Sequence, residues 1–532
     1  MRSNINYIVN SYEEGVVLKK NSFLYGTLVL IFVNFVVRFL GFAYRIILSR
    51  MIGPEAIGIF HLVFPILMVM ITFTSAGIPV AVSKLVAHFS SLDNKAGCKK
   101  VLGISMVIGL AISAVLSILL YFNAQFIAEK LIKNIDIQPS LMALIPAITL
   151  ITLSSIMRGY YYGIKSVGPP GTSQILEQIF RIAFVIGILL ILPPLVPKYA
   201  SVIAILGISV GEFTGLLWLL MRFGDFKTSY IKRTYLQFKN PSSDILSKII
   251  YISIPITITR MISVVMQSIN AALIPQRLMH AGFSMQEAVA IFGKLSGMAM
   301  PLLFLPFIVT SALVVNIIPS VAEEVALKNW HQLSLKSNIA IRMTLLVAIP
   351  ITALLIFFAS PICNFLYQHA DVGEYLSLLG YATVFLSLQH VLSGILHGMG
   401  KQVITTVNYL CGMLLQILCT YYLVPHPSFG VKGFIIGFIL STVTISLLNY
   451  IALNHYIKLK PKIVNDIGKP VFSTAIMILI LLNLYELLLK FAISPNAALI
   501  LSVLSGILAY MISIFSTGCI NHRTLQFIIR KK

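Results

Sequence analysis

The chain has 532 residues, of which 58% are apolar and 11% charged, and its mean hydropathy is +0.93. This balance excludes a soluble globular protein and indicates an integral membrane protein, because soluble domains carry about a quarter of charged residues. The net charge of +22 is large enough to suggest a nucleic-acid partner. The distribution of the basic residues along the chain argues against such a partner.

Apolar stretches of roughly 20 residues recur along almost the whole chain, and this is the length that a helix needs to cross a bilayer. About fourteen such helices are predicted, at approximately 22–49, 56–81, 101–123, 140–163, 172–194, 199–221, 247–274, 288–318, 337–360, 375–399, 403–425, 431–454, 469–490 and 496–519. No connection exceeds about 25 residues, so neither side of the membrane has room for a folded domain. The predicted fold is an all-α polytopic membrane protein.

A glycine motif divides these helices into two sets. The segment Ser155–Lys165 has an echo at Leu392–Lys401, at an offset of 235 residues, and each segment ends the fourth helix of a set of six. Many transporters build a midplane site from two similar lobes, although such glycine spacings are also common in ordinary helix packing. The predicted domains are an N-terminal segment 1–21, a first lobe 22–221, a linker 222–246, a second lobe 247–454, two further helices in 455–520 and a basic tail 521–532.

The basic residues collect in alternate loops, an asymmetry that marks the cytoplasmic segments of membrane proteins. If the N-terminus is cytoplasmic, Lys and Arg dominate the inside segments, whereas the outside segments carry only Arg50, Lys130, Lys133, Lys198, Arg277, Lys432 and Lys490. We therefore expect a multi-pass protein of the cell membrane with both termini in the cytoplasm. The basic excess reflects topology, and no nucleic acid is expected as a partner.

Charged residues inside the predicted helices are the strongest functional signal. Arg38 and Arg45 lie on the first helix, where each cation costs roughly 2.5–3.5 kcal/mol at mid-bilayer. Because their spacing is about two helical turns, both side chains are predicted to lie on one face. Arg260 lies on the seventh helix, which is the first of the second lobe. Arginine presents planar donors suited to phosphate oxygens, so these residues predict a cavity for an anionic head group.

A further charged pair lies on the fifth predicted helix, where Glu177 and Arg181 have the i, i+4 spacing of helical neighbours. The two charges either neutralise each other or contribute to the cavity. Arg158 lies near a predicted cytoplasmic helix end, where long basic side chains extend to the interface. The candidate substrate-binding residues are Arg38, Arg45, Arg260, Arg181 and Glu177.

Sequence motifs for catalysis are missing. The chain has no phosphate-binding loop of the form G-x-x-x-x-G-K-[ST], and its five cysteines form no C-x-x-C pair. No enzyme activity, cofactor or metal is predicted. Three classes of function remain: a flippase for an anionic lipid-linked substrate, a drug/cation antiporter, and a non-transporting scaffold for cell-wall enzymes. The antiporter would need a buried carboxylate on the first or seventh helix, where the chain carries arginine instead.

Five segments resemble one protein family, and they are Arg38–Arg45, Ser49–Gly58, Gly77–Ala87, Arg158–Gly159 and Ser173–Arg181. They resemble the stage V sporulation protein B family, in the polysaccharide and lipid II flippase branch of the multidrug/oligosaccharidyl-lipid/polysaccharide (MOP) exporter superfamily. The resemblance covers about residues 22–520. It implies fourteen helices, with two six-helix lobes in a MATE-like arrangement and two additional C-terminal helices.

The resemblance also implies a function. It implies a role in making spore cortex peptidoglycan during sporulation, by translocation of an undecaprenyl-diphosphate-linked peptidoglycan or polysaccharide precursor through alternating access. Related lipid II flippases place first-helix arginines in a central cavity that meets the diphosphate. Arg38 matches one of these arginines, and the second falls on Tyr44, next to Arg45. The implied partners are a lipid-linked oligosaccharide and membrane lipids, with cell-wall synthesis enzymes as further candidates.

Overall fold

A computed structural model describes residues 23–192, 196–224, 242–459 and 462–518. Within these ranges all regular secondary structure is helical. Twelve helical stretches are long and apolar enough to cross a membrane, or up to 13 if two bent neighbouring helices form one span. These features confirm the predicted all-α polytopic membrane fold. The predicted segments 1–21 and 521–532, and most of the linker 222–246, lie outside the described residues.

The described helices are numbered in chain order. They are α1 (Phe23–Ser75), α2 (Ile78–Ser91), α3 (Lys95–Phe126), α4 (Gln138–Ala143), α5 (Ile145–Gly163), α6 (Gly168–Ile191), α7 (Pro197–Gly224), α8 (Ser242–His280), α9 (Met285–Gly293), α10 (Met300–Leu303), α11 (Phe307–Ala326), α12 (Trp330–Phe357), α13 (Ala359–Tyr367), α14 (Val372–Gly380), α15 (Ala382–Gly398), α16 (Gln402–Leu423), α17 (Val431–Ile457), α18 (Lys469–Lys490) and α19 (Pro495–Ser516). Short π-helical turns extend three of them, at Ile127–Ile132, Lys294–Ala299 and Val464–Gly468. We call α1–α7 the first half and α8–α17 the second half.

α1 is a hairpin rather than one straight helix. Gly53 has φ of 74° and ψ of 173°, a backbone conformation that glycine adopts at little cost, and Pro54 disfavours a helical residue before it. Arg45 and His61, each eight residues from Gly53, line the same cavity. The chain therefore reverses direction at Gly53. The number of membrane crossings depends on how this hairpin and the bent pair are counted, and the count of fourteen stays a prediction.

The two halves repeat the same helix contact. In the first half, a Cβ added to Gly163 of α5 would lie 2.7 Å from the Cβ of Val86 of α2. In the second half, a Cβ added to Gly398 of α15 would lie 2.9 Å from the Cβ of Val321 of α11. The two glycines and the two valines are both separated by the offset of 235 residues seen in the sequence motif. The repeated contact supports the division into lobes, whose boundaries stay predictions.

Several of the predicted helices are interrupted in the structure. The second, predicted over 56–81, is broken between α1 and α2 just before Pro79, and the eighth, predicted over 288–318, is broken between α10 and α11 at Pro306. Proline lacks the backbone N–H and clashes with the preceding turn, so a helix bends or ends there. The tenth, predicted over 375–399, bends by 51° between α14 and α15. Hydropathy alone does not reveal such breaks because the apolar run continues through them.

The two halves come into backbone contact beside the turn of the α1 hairpin. A Cβ added to Gly58 of α1 would overlap the carbonyl oxygen of Val289 of α9, so the two backbones touch. Close by, Arg50 donates a hydrogen bond of 2.6 Å to the carbonyl oxygen of Leu366, near the C-terminal end of α13. A cation at this position also interacts favourably with the helix dipole. We call this contact between α1 and α9 the hairpin seam.

Candidate anion-binding site between the two halves

Arg38 connects the two halves of the chain. Its guanidinium donates a hydrogen bond of 3.2 Å to the hydroxyl of Ser311 on α11. Within the described ranges, no carboxylate forms an ion pair with Arg38. A hydroxyl supplies no negative charge, so the Arg38 cation is uncompensated at the junction of the halves.

Arg45 lines a cavity of about 170 Å³. The walls come from the α1 hairpin, α6 and α7, and Gly297 contributes from the second half. Among the described residues, no hydrogen bond or ion pair involves the Arg45 side chain. Arg38 and Arg45 therefore both lie where α1 approaches the second half, and both present positive charge there.

The cavity that Arg45 lines contains buried polar groups without partners. Tyr44 is 7% exposed, and its hydroxyl has no hydrogen-bond partner in the described part of the chain. The same holds for the buried Nε of Arg181 and for the amide oxygen of Gln178. A buried donor left unpaired costs about 1–3 kcal/mol. A ligand with several acceptor oxygens would satisfy Tyr44 and Arg181, and a hydroxyl on that ligand would satisfy Gln178.

Arg181 also belongs to a buried cluster of four charges. It forms an ion pair with Glu177, one turn earlier on α6, as the i, i+4 spacing predicts. Glu177 is 3.3 Å from Arg158 of α5, and Arg158 is 3.2 Å from Glu212 of α7. Two arginines and two glutamates therefore compensate each other. We call these four residues the first-half charge cluster.

The prediction that Arg158 lies at the membrane interface is wrong. Its side chain is 12% exposed, against 8% for its partner Glu212. Ser154 accepts a hydrogen bond of 2.9 Å from Arg158 and donates one of 2.5 Å to Glu212. Ion pairing offsets the desolvation of a buried charge. The partner glutamates lie 19 and 54 residues away in sequence, so the local pattern around Arg158 does not reveal them.

Arg260 lies on α8, the helix of the second half that packs against the first half. One face of α8 contacts the first half, because Ser253 touches Gly77 and the Ser268 hydroxyl donates a hydrogen bond of 3.4 Å to the Pro65 carbonyl. Arg260 lies about two helical turns after Ser253 on this helix, beyond Pro255. Its side chain is exposed and has no hydrogen bond or ion pair to any described residue. Like Arg38 and Arg45, it has no carboxylate partner among the described residues.

The antiparallel contacts give the relative depths of the three arginines. Arg38 lies 15 residues before the turn at Gly53, so the antiparallel arm of α1 reaches the same depth at about residue 68. On α8, Ser253 is level with residue 77 and Ser268 with residue 65, so Arg260, between them, is level with about residue 71. At a rise of about 1.5 Å per residue, Arg38 and Arg260 differ in depth by about 5 Å. Arg45, opposite His61, lies about 10 Å from Arg38 toward the hairpin turn. Arg38 and Arg260 are therefore at a common level, with Arg45 deeper toward the hairpin seam.

Several residues of this region escaped the sequence analysis. Ser311, Gln178 and His61 carry no sequence signal that separates them from other polar residues of membrane helices. Tyr44 was indicated only through the family resemblance, which places it where related proteins carry an arginine. Gln178, His61 and Tyr44 line the cavity, Gln178 and Tyr44 with unpaired atoms, and Ser311 accepts the hydrogen bond from Arg38.

The paired halves, the apolar helices and the cationic junction define a membrane transporter. The sequence profile described as "Polysaccharide biosynthesis protein" matches residues 23–325, and the profile described as "MatE" matches residues 281–422. The first match covers more than half of the chain. The chain therefore belongs to the polysaccharide biosynthesis protein family, within the MOP exporter superfamily.

Individual proteins agree with this assignment. Stage V sporulation protein B of Bacillus subtilis (strain 168) is 28% identical over 446 residues, which cover 84% of this chain and 86% of that protein. The inward closed conformation of lipid II flippase MurJ superposes with a TM-score of 0.66 at 19% identity, covering 92% of this chain and 99% of that one. An inward-facing MATE family multidrug resistance transporter of the MOP superfamily superposes with a TM-score of 0.66 at 16% identity, covering 79% of this chain and 94% of that one.

These comparisons confirm the predicted family and the MATE-like fold. The chain is a multi-pass membrane protein of a superfamily of transporters and flippases rather than a catalytic enzyme. The roles predicted for Arg38, Arg45, Arg260, Arg181 and Glu177 stay predictions, and so do the positions of the termini.

Proposed function

We propose that this protein is a flippase that carries an undecaprenyl-diphosphate-linked peptidoglycan or polysaccharide precursor from the inner to the outer leaflet, for spore cortex synthesis during sporulation. The proposal is carried by one observation: Arg38, Arg45 and Arg260 lie on α1 and α8, which pack against each other between the halves, and no described carboxylate compensates them. The relation to stage V sporulation protein B supports the role in sporulation.

The chemistry of the site suits a diphosphate. Arginine stays charged when partly desolvated, and its planar fork matches pairs of phosphate oxygens. Arg38 and Arg260 approach the junction from opposite halves at a common level, so one head group can bind to both halves at once. The lipid tail would remain in the bilayer while the head group crosses between the halves.

A drug/cation antiporter is the less favoured alternative. A cationic substrate requires a buried carboxylate that is not already paired. The two carboxylates of the first-half charge cluster, which adjoins the cavity through Arg181, are Glu177 and Glu212, and both are paired with arginine. Nothing in the described residues offers an uncompensated anion beside Arg38, Arg45 or Arg260. A scaffold without transport activity is separated from a flippase by experiment.

The decisive experiment is leaflet-resolved translocation of fluorescent lipid II by the purified protein in liposomes. We expect Arg38→Ala and Arg260→Ala to reduce translocation to the protein-free rate without loss of expression, because removal of an uncompensated cation from a membrane-spanning helix does not weaken folding. Arg38→Lys should retain part of the activity, since a point charge replaces the planar fork.

The matched control is Arg277→Ala. Arg277 lies on α8 as Arg260 does, but it stacks on the ring of Tyr421 at 3.6 Å from the centroid rather than facing the junction. We expect this variant to translocate at the wild-type rate. Wild-type translocation in both Arg38→Ala and Arg260→Ala would rule out recognition of an anionic head group at this junction and favour the scaffold.

A further inference from the structure

The first-half charge cluster and the cavity share one residue. Arg181 pairs with Glu177, yet its side chain also lines the cavity beside Arg45, and its buried Nε has no partner among the described residues. The nearby Tyr44 hydroxyl is unpaired as well. An oxyanion that enters the cavity therefore meets a guanidinium already held by Glu177, and the two anions compete for it.

This competition changes the charge balance of the cluster. Before an anion binds, Arg158 and Arg181 balance Glu177 and Glu212. If a bound anion takes over Arg181, both glutamates share Arg158 alone. Two carboxylates beside one cation in a buried site resist being ionised together. Addition of one proton to the glutamate pair restores neutrality.

Other titratable and charged groups surround Glu177, and the test must separate them. They are Arg158 and Tyr162 on α5, Arg181 on α6, Glu212 on α7, and Tyr44, Arg45 and His61 on α1. Tyrosine and arginine do not change charge near neutral pH. His61 is the member of this set that ordinarily titrates near pH 6.5 and could also attract an anion when protonated. It therefore provides the control.

We propose that an anionic head group binds in this cavity together with one proton, which is taken up by the Glu177–Glu212 pair. The inference rests on the proposed function, which supplies the anion. The proton comes from water and forms an O–H bond with a carboxylate oxygen. It returns to water when the anion leaves and Arg181 re-forms its ion pair with Glu177. An acidic medium on the release side therefore slows release of the head group.

The test uses the full-length protein in detergent and uridine diphosphate N-acetylglucosamine as the probe. This soluble diphosphate diester stays fully ionised between about pH 6 and 8, because it lacks the second ionisation of a phosphate monoester. In the wild type, affinity should rise by up to about tenfold per unit decrease in pH. A pH-indicator dye in weak buffer should show up to about one proton taken up per bound probe.

The variants locate the proton. In the variants Glu177→Gln and Glu212→Gln, one glutamate remains to pair with Arg158 when the anion takes over Arg181. Both variants should therefore bind the probe with little pH dependence and without proton uptake. Glu177→Gln should bind at pH 8 about as tightly as the wild type at low pH, because Arg181 has lost its competitor. The affinity of His61→Gln for the probe should depend on pH as steeply as that of the wild type.

The possible failures are distinguishable. The proton linkage is overturned, and the anion site left intact, if the wild type binds the probe without proton uptake. The same conclusion follows if the affinity of Glu177→Gln still rises with decreasing pH. If the pH dependence of probe affinity disappears only in His61→Gln, the proton binds to His61, and the linkage to the Glu177–Glu212 pair is overturned as well. If the probe does not bind at any pH and lipid II is not translocated, the proposed function itself fails.

Discussion

At the scale of single residues, the location of Arg38 and Arg260 matters more than their number. They come from opposite halves, and the antiparallel contacts bring them within about 5 Å in depth. Each lacks a carboxylate partner among the described residues. Two such cations at one level form a single receptor if one diphosphate spans them.

This arrangement predicts non-additive losses of binding. We expect Arg38→Ala and Arg260→Ala each to weaken binding of uridine diphosphate N-acetylglucosamine by about 1.5–3 kcal/mol, the range for hydrogen bonds to charged groups. The double variant should lose clearly less than the sum, because either single change already disrupts the shared binding event. Equilibrium titration at constant ionic strength measures all three variants. Additive losses would mean that the two arginines act at separate places.

The two ion pairs at the ends of the first-half charge cluster differ in whether the sequence predicts them. The pairing of Glu177 with Arg181 was predicted as one alternative, because i, i+4 neighbours meet on any helix. The pairing of Arg158 with Glu212 was not, because the two residues come from different helices, α5 and α7. The sequence identifies which side chains are costly to bury, and the packing of helices determines which of them become neutralised.

At the scale of helices, the hairpin seam depends on the absence of a side chain at Gly58. Any Cβ there would overlap the Val289 carbonyl, which belongs to a backbone that cannot rotate aside. Overpacking of this kind typically costs about 1–3 kcal/mol. The seam joins the two halves next to Arg50 and α13, so the alternating access that we propose would require it to open and close.

Gly58→Ala should therefore lower the midpoint of thermal unfolding in detergent. The matched control is Gly187→Ala on α6, where an added Cβ meets no atom within 4 Å. Alanine is favoured over glycine in a helix by about 1 kcal/mol, so the control should be unchanged or slightly stabilised. Equal changes in the two variants would show that the halves do not press together at Gly58 in solution.

The helix boundaries show a similar division between local and non-local information. Hydropathy located the apolar stretches, because each residue contributes independently to the free energy of transfer. It did not locate the breaks before Pro79 and at Pro306, which interrupt the backbone without interrupting the apolar run. The Gly163 and Gly398 contacts were indicated by the repeated motif, and the structure supplied their partners.

At the scale of the whole molecule, orientation in the membrane is still a prediction. The Lys and Arg asymmetry places both termini and the segment 222–248 in the cytoplasm. The test is a single cysteine at Ser229, which lies outside the described residues, introduced into a variant without the five native cysteines. An impermeant thiol reagent should label it only after the cells are permeabilised. Labelling in intact cells would reverse the assignment of every loop.

The sequence by itself determined that this is an all-α membrane protein of the MOP superfamily, and it identified the arginines of the first and seventh predicted helices as costly and therefore informative. These conclusions depend on composition, on the length of apolar runs and on matched segments, all of which are local properties of the chain. The tertiary structure alone decided that Arg158 and Arg181 are neutralised by Glu177 and Glu212, whereas Arg38, Arg45 and Arg260 have no such partner among the described residues. The reason is physical: neutralisation requires opposite charges within about 4 Å, and residues far apart in sequence reach that distance only through the packing and register of helices.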